Sequence, residues 1–254
     1  MINLNNVFDK IFPLNYAVIF FYAHPDDESF LSAGLLSKLV ARGRKCIVVF
    51  GAAAIVDGQK QTIIRQKEAY NACNILGVTL VLFLKFCEPK YSKEGMLSLT
   101  KQKIEIVTKN FFEVLYKNDI QTPFILISYD RNGGYGDKDH KIIYTAGQYF
   151  HKKYRNLAPF LFETTINRDK MSKWLDVAKK RLISQSIPKL SYWSSEFGLA
   201  CEEITHYYQL TEEQLMLKRK ALAIHKSQNS QDEFPLSLSS DDFREVFGYE
   251  FLRV

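Results

Sequence analysis

Four short runs of the chain, residues 16–23, 45–51, 79–84 and 123–128, are apolar almost throughout and about one strand long. Between them lie segments 30–43, 61–76 and 97–118, whose apolar residues recur at helical spacing. This alternation constrains the fold more than any other feature. A strand that is apolar on both sides must be covered on both sides, which antiparallel meanders seldom require and parallel sheets in α/β proteins do. Strands that take turns with helices build such sheets. The pattern therefore predicts a doubly wound α/β architecture.

The later sequence is less regular. Residues 160–166 and 204–209 read as further strands and 171–179 as a helix. Residues 211–225 read as a helix capped by Thr211, with Glu212, Glu213 and Gln214 in its first turn. Residues 226–241, rich in Ser, Gln and Asp, read as an exposed loop. No repeat, low-complexity tract or linker divides the chain, so one domain over residues 1–254 is expected. With 254 residues, 46% of them hydrophobic, there is apolar mass for one large core.

Charge and cysteine usage remove several classes. The excess of Lys and Arg is only +6 and is dispersed among acids, with no basic stripe interleaved with aromatics, which argues against a nucleic-acid binder. Cys46, Cys73, Cys87 and Cys201 form neither a Cys-x-x-Cys pair nor a compact disulfide framework. Reduced thiols in a reducing, cytoplasmic setting are the expectation. The apolar run at 16–23 is too short to span a bilayer and follows no basic cluster, so neither a signal peptide nor a transmembrane segment is expected.

In a doubly wound sheet, ligands bind beyond the carboxyl ends of the strands. Two polar segments fall there. His24-Pro25-Asp26-Asp27-Glu28 follows the first strand, and residues 130–140, with Gly133, Gly134, Tyr135, Gly136, Asp137, Asp139 and His140, follow the fourth. Three carboxylates and an imidazole in five residues are costly to bury unless a cation compensates them. His and Asp side chains suit zinc, and His140 can complete a His–Asp–His set with His24 and Asp27, leaving one position open. One aspartate of the adjacent pair can bind metal while the other stays available as a base. The competing reading is a charged helix-capping turn after the first strand and a glycine turn capped by Asp139 after the fourth. A dinucleotide site is disfavoured, because clustered carboxylates repel pyrophosphate and no Gly-x-Gly-x-x-Gly stands after the first strand.

The chain resembles the LmbE-like, or GlcNAc-phosphatidylinositol de-N-acetylase, family. His24-Pro25-Asp26-Asp27-Glu28 is similar to its AHPDDE signature, and Tyr129-Asp130-x-x-Gly133-Gly134-Tyr135-Gly136-x-x-Asp139-His140 to its second motif. Arg65-x-x-Glu68, before Ala72 and Leu76-Gly77-Val78, resembles a third segment, and Ala221-x-x-x-His225-x-Ser227-Gln228 a fourth. The resemblance implies a Rossmann-like three-layer αβα sandwich with a mainly parallel sheet. It implies a Zn2+-dependent hydrolase that removes an N-acetyl or other N-acyl group from a small-molecule amino-sugar conjugate of the N-acetylglucosamine type. Carried over by position, His24, Asp27 and His140 are metal ligands and Asp26 is the general base. Tyr135 steadies the oxyanion with the metal, and Arg65 holds sugar hydroxyls.

One position departs from the family. Its second motif usually carries a histidine three places before the last one, and here that place holds Asp137. An ionised carboxylate opposes developing negative charge and gives no proton. Either burial keeps Asp137 protonated, or His225 supplies the acid, or turnover is slow or turned to another acyl group. The alternative reading is thus a metal- or sugar-binding family member with weak or altered catalysis. His151 and His206 lie in no motif and are expected to be structural.

Overall fold

The computed structural model describes residues 1–52, 59–86, 98–180, 197–229 and 234–254. The four apolar runs become β2 (Ala17–Tyr22), β3 (Cys46–Ala52), β4 (Leu80–Phe86) and β5 (Phe124–Tyr129). Strands β2, β3 and β5 are buried along almost their whole length, as continuous apolar sequence requires. The helical spacings become α2 (Asp27–Ala41), α3 (Gln59–Ile75) and α4 (Ile104–Lys117). After β5 come a short irregular turn, α5 (Gly133–Gly136), then α6 (Lys138–Lys153), β6 (Phe160–Thr165) and α7 (Arg168–Lys180). The last elements are β7 (His206–Gln209), α8 (Glu212–Ile224), α9 (Ser240–Phe247) and β8 (Tyr249–Arg253), while β1 (Ile2–Asn3) and α1 (Phe8–Ile11) open the chain.

One eight-stranded sheet runs in the order β1-β7-β8-β6-β5-β2-β3-β4. All neighbours are parallel except β8, which lies antiparallel between β6 and β7. The mainly parallel α/β sheet expected from the sequence is present. From β2 the chain builds β3 and β4 to one side, then returns to place β5 and β6 on the other. The strand order therefore reverses between β2 and β5, which opens a crevice beyond their carboxyl ends. Both polar segments leave from those two ends.

The expected loop at 226–241 is corrected. Leu236 and Leu238 are buried, and Ser240 already belongs to α9. Ser239 caps that helix by accepting the Asp242 N–H at 3.1 Å, and Phe243 and Phe247, one turn apart, bury the same face. The polar composition concealed alternate leucines that point into the core. Thr211 caps α8 as expected. Cys46 and Cys73 are buried free thiols, Cys201 is exposed, and Cys87 lies outside the described residues. Among the described residues, no helix is long and apolar enough to cross a membrane.

Strand β8 holds the sheet to the helix that carries the first motif. The Glu250 carboxylate accepts the N–H of Gly34 at 2.8 Å, the N–H of Leu35 at 2.7 Å and the Lys218 ammonium at 2.7 Å. Glu250 and Lys218 are both buried. Removing one partner of a buried pair strands the other charge, at a cost of about 3–5 kcal/mol. Glu250→Ala is expected to lower unfolding stability by about that amount, read from the shift in the urea midpoint. A second substitution, Lys218→Met, in the Glu250→Ala background should recover part of the loss by removing the stranded ammonium.

Candidate functional site

The first segment folds as a tight turn out of β2. Asp26 takes φ 120°, a conformation rare outside glycine. Its amide N–H is held by Glu28 Oε2 at 3.0 Å. Helix α2 starts at Asp27, earlier than the helical spacing indicated, so Asp27 and Glu28 sit in its first turn, where a carboxylate is favoured by the exposed N–H groups. The second segment leaves β5 through Asp130, whose Oδ1 accepts the Asn132 N–H at 2.7 Å. Gly133 lies at φ 65°, and a Cβ there would meet the His140 Cβ at 2.8 Å. Only glycine lets the loop fold back against the histidine.

The structure brings His24, Asp27 and His140 together. His24 Nδ1 lies 3.2 Å from His140 Nε2, His140 Nε2 lies 3.4 Å from Asp27 Oδ1, and His24 Nδ1 lies 3.8 Å from Asp27 Oδ2. Metal–nitrogen and metal–oxygen bonds of about 2.0–2.2 Å around a tetrahedral ion separate its donors by roughly 3.3–3.6 Å. The His140–Asp27 spacing falls within this range, the imidazole pair is slightly closer, and the His24–Asp27 spacing, made to the other carboxylate oxygen, is wider. The remote nitrogen of each ring is held from behind: His24 Nε2 lies 3.1 Å from Asp139 Oδ2, and His140 Nδ1 lies 3.0 Å from the Gly133 carbonyl. Such outer partners fix tautomer and ring orientation, so that the inner nitrogens converge. The residues present therefore fit a divalent ion.

Electrostatics point the same way. Burial pushes the Asp27 carboxyl up, but His140, His24 and the Tyr129 hydroxyl outweigh it and hold Asp27 down at about 2. Burial likewise opposes charge on His140, and Asp27 overcomes it and raises the imidazole. The carboxylate draws positive charge to this point, which is what a cation would supply. Tyr129 Oη donates to Asp27 Oδ2 at 2.6 Å and accepts the Ala23 N–H at 2.6 Å, and its ring stacks on His140 with centroids 4.2 Å apart.

Asp26 stands beside this set. Burial first, then the neighbouring Asp27 charge, push its carboxyl up to about 7. His225 is fully buried, with Nε2 2.8 Å from Glu28 Oε1. Burial opposes its charge, and Glu28 outweighs burial and raises it. Tyr135 Oη lies 3.4 Å from His140 Nε2. Arg65 is buried and donates from Nη2 to the Pro25 carbonyl at 3.2 Å. Glu68 accepts the Ser227 N–H at 2.9 Å and its hydroxyl at 2.5 Å, which joins the third motif to the fourth.

Asp137 is the N-cap of α6, and its Oδ1 accepts the N–H groups of Asp139 at 2.7 Å and His140 at 3.3 Å. It also approaches the centre: His24, Asp137 and His140 each bring a donor atom within 4.8 Å of the other two. Asp139, the cap in the competing reading, is instead the buried partner of His24. Asp139, Glu28, Glu68 and Tyr129 were not singled out in the sequence as site residues. Their signal was adjacency to the motifs, which does not say which imidazole or carboxylate each one meets. His151 and His206 lie elsewhere, with Nδ1 atoms near the Ala158 carbonyl and the Thr205 hydroxyl, and fit their structural reading.

Fold and site together define an α/β scaffold with a histidine–carboxylate centre at its topological switch point. The chain belongs to the PIG-L family, described as GlcNAc-PI de-N-acetylase, whose model matches residues 19–150 and so spans both main motifs. Among curated proteins nothing matches the sequence. Solved structures share the fold. An A40926 pseudoaglycone deacetylase superposes with a TM-score of 0.63 at 13% identity, covering 94% of this chain and 96% of that one. The zinc-inhibited form of a teicoplanin deacetylase gives 0.61 at 13% identity, over 93% and 96%. The N,N'-diacetylchitobiose deacetylase of Pyrococcus horikoshii gives 0.57 at 18% identity, over 98% and 90%.

Tyr129→Phe tests the frame of the site. It leaves the Ala23 N–H unpaired and removes one donor from Asp27, a loss of about 1–3 kcal/mol. The fold should persist, with the change visible in a chemical denaturation curve.

Proposed function

We propose that this chain is a metal-dependent hydrolase that removes an N-acetyl or related N-acyl group from an N-acetylglucosamine-type amino sugar. The observation that carries the reading is the convergence of His24 Nδ1, His140 Nε2 and the Asp27 carboxylate at donor spacing. Family membership supports the reaction class, and the deacetylase neighbours support the fold that hosts it. His24, Asp27 and His140 would hold the ion, which we take to be Zn2+. When bound, such an ion supplies Lewis acidity, acidifying a water and polarising the acyl carbonyl.

The protein groups divide the remaining work. Asp26, raised toward neutrality, is suited to take the proton of the attacking water and to return it to the leaving amine. The Tyr135 hydroxyl, beside His140, is placed to donate to the oxyanion. The Glu28–His225 pair forms a second proton-holding group behind Asp26, with Glu28 also binding the Asp26 amide. For Arg65, the bond to the Pro25 carbonyl supports a role in setting the motif loop, beside any contact with sugar hydroxyls. The buried free thiols Cys46 and Cys73 fit a reducing, cytoplasmic setting. The scaffold fits one catalytic domain over residues 1–254, since its single sheet draws strands from Ile2 to Arg253. The second reading, a binding protein with weak or altered catalysis, is favoured by one observation: a carboxylate, Asp137, stands where the family usually has an imidazole.

The test pairs metal analysis with amine release from N-acylated glucosamine conjugates. Chelation should abolish release, and added Zn2+ should restore it. His24→Ala and His140→Ala should lose the ion. Asp26→Asn should keep it while the rate falls about 10²–10⁴-fold. Metal binding without amine release from any amino-sugar amide would support the second reading; no metal binding would overturn the first and leave only the sugar-binding form of the second.

A further inference from the structure

Asp137 lies within donor reach of the two histidines, and the role of an imidazole at that place is not open to it. We propose that Asp137 is a further metal donor, so that the centre is built from two imidazoles and two carboxylates. The inference rests on the metal reading above. Three observations support it. The donor atoms of His24, Asp137 and His140 lie within 4.8 Å of one another. Asp27 approaches the same pair of imidazole nitrogens at 3.4 and 3.8 Å, so two carboxylates face one His–His pair. The Asp137 side chain is fixed by the N–H groups of Asp139 and His140, the residues that brace and form the centre.

The capping geometry gives aspartate two tasks at once. Asp is among the preferred N-cap residues, because a short side-chain oxygen reaches the free N–H groups of the first turn. A carboxylate has a second oxygen and spare lone pairs, so capping does not exhaust its capacity. The coordination chemistry changes accordingly. Four protein donors fill a tetrahedral shell, so an ion that still admits water and substrate takes five or six donors. A second carboxylate also cancels the remaining charge of a dication. Both changes move the preference from tetrahedral zinc toward ions that accept carboxylate and higher coordination, with Mn2+ as the example.

The experiment uses the full-length protein stripped of metal, titrated with Mn2+, Zn2+ and Co2+ against a chromogenic chelator. Asp137→Asn and Asp137→Ser retain an N-cap, so α6 and the melting temperature should hold while the carboxylate donor is lost. Their Mn2+ affinity should fall at least about tenfold, the scale of loss that even an outer partner produces. Zn2+ affinity should fall less. The visible bands of the Co2+-loaded protein should be weak in the unaltered chain, as for five or six donors, and should intensify in Asp137→Ser as the shell drops toward four.

Unchanged affinities and unchanged Co2+ bands in both variants would overturn the proposal. If His24→Ala loses the ion while Asp137→Ser keeps it unaltered, Asp137 alone is excluded and the His24–Asp27–His140 centre stands. If the unaltered chain takes up no divalent ion, the metal reading falls and this proposal with it.

Discussion

Negative charge held inside the crevice between β2 and β5 governs the rest of the structure. Asp26, Asp27 and Glu28 are consecutive, and Asp137 and Asp139 approach from the other side. A buried carboxylate without partners costs several kcal/mol. The structure meets the charge locally: Asp27 by the Tyr129 hydroxyl, the His24 amide and His140, and Glu28 by Ser29, His225 and the Asp26 amide. Most of these groups are protons or dipoles, not full positive charges. The balance left over suits the crevice to a cation.

Precision at such a centre depends on the strands beneath it. β2 and β5 are hydrogen-bonded neighbours in parallel register, from Ala17 against Phe124 to Phe20 against Ile127. Tyr129 carries that register up to the site. It sits at the end of β5, yet its hydroxyl bridges the Ala23 backbone and the Asp27 carboxylate, and its ring lies flat against His140. One side chain thus sets the height of the first motif and the tilt of the second. Pairing across a sheet is stiffer than contact between loops, which is why both motifs are anchored within two residues of a strand end.

The parts legible in the sequence were those with a strong local cause. Uniformly apolar runs forced two-sided burial, and glycine and carboxylate clusters at strand ends marked the site before its geometry was known. Pairings between side chains were not legible. His24 meets Asp139 across 115 residues, and no periodicity encodes that contact. Asp137 and Asp139 are two residues apart, and either can cap a helix. The choice between them is made by the His24 imidazole, which Asp139 meets in the interior. The burial of Leu236 and Leu238 was not legible because serines flank them, so that composition spoke for solvent while the alternation spoke for the core. Asp137 itself was visible as a departure from the family, but its nearness to both histidines became apparent only from the fold.

The bond from Glu250 to the amides of Gly34 and Leu35 also has a bearing on synthesis. Helix α2, which begins with the carboxylates of the centre, rests on a residue translated more than two hundred positions later. While the ribosome is still short of residue 250, the Lys218 ammonium has no counterpart from β8, and that face of α2 has no strand to dock on. The crevice is therefore among the last regions to settle, although its first carboxylates are among the first residues made. A nascent chain can carry the whole signature and still lack the footing that holds it in place.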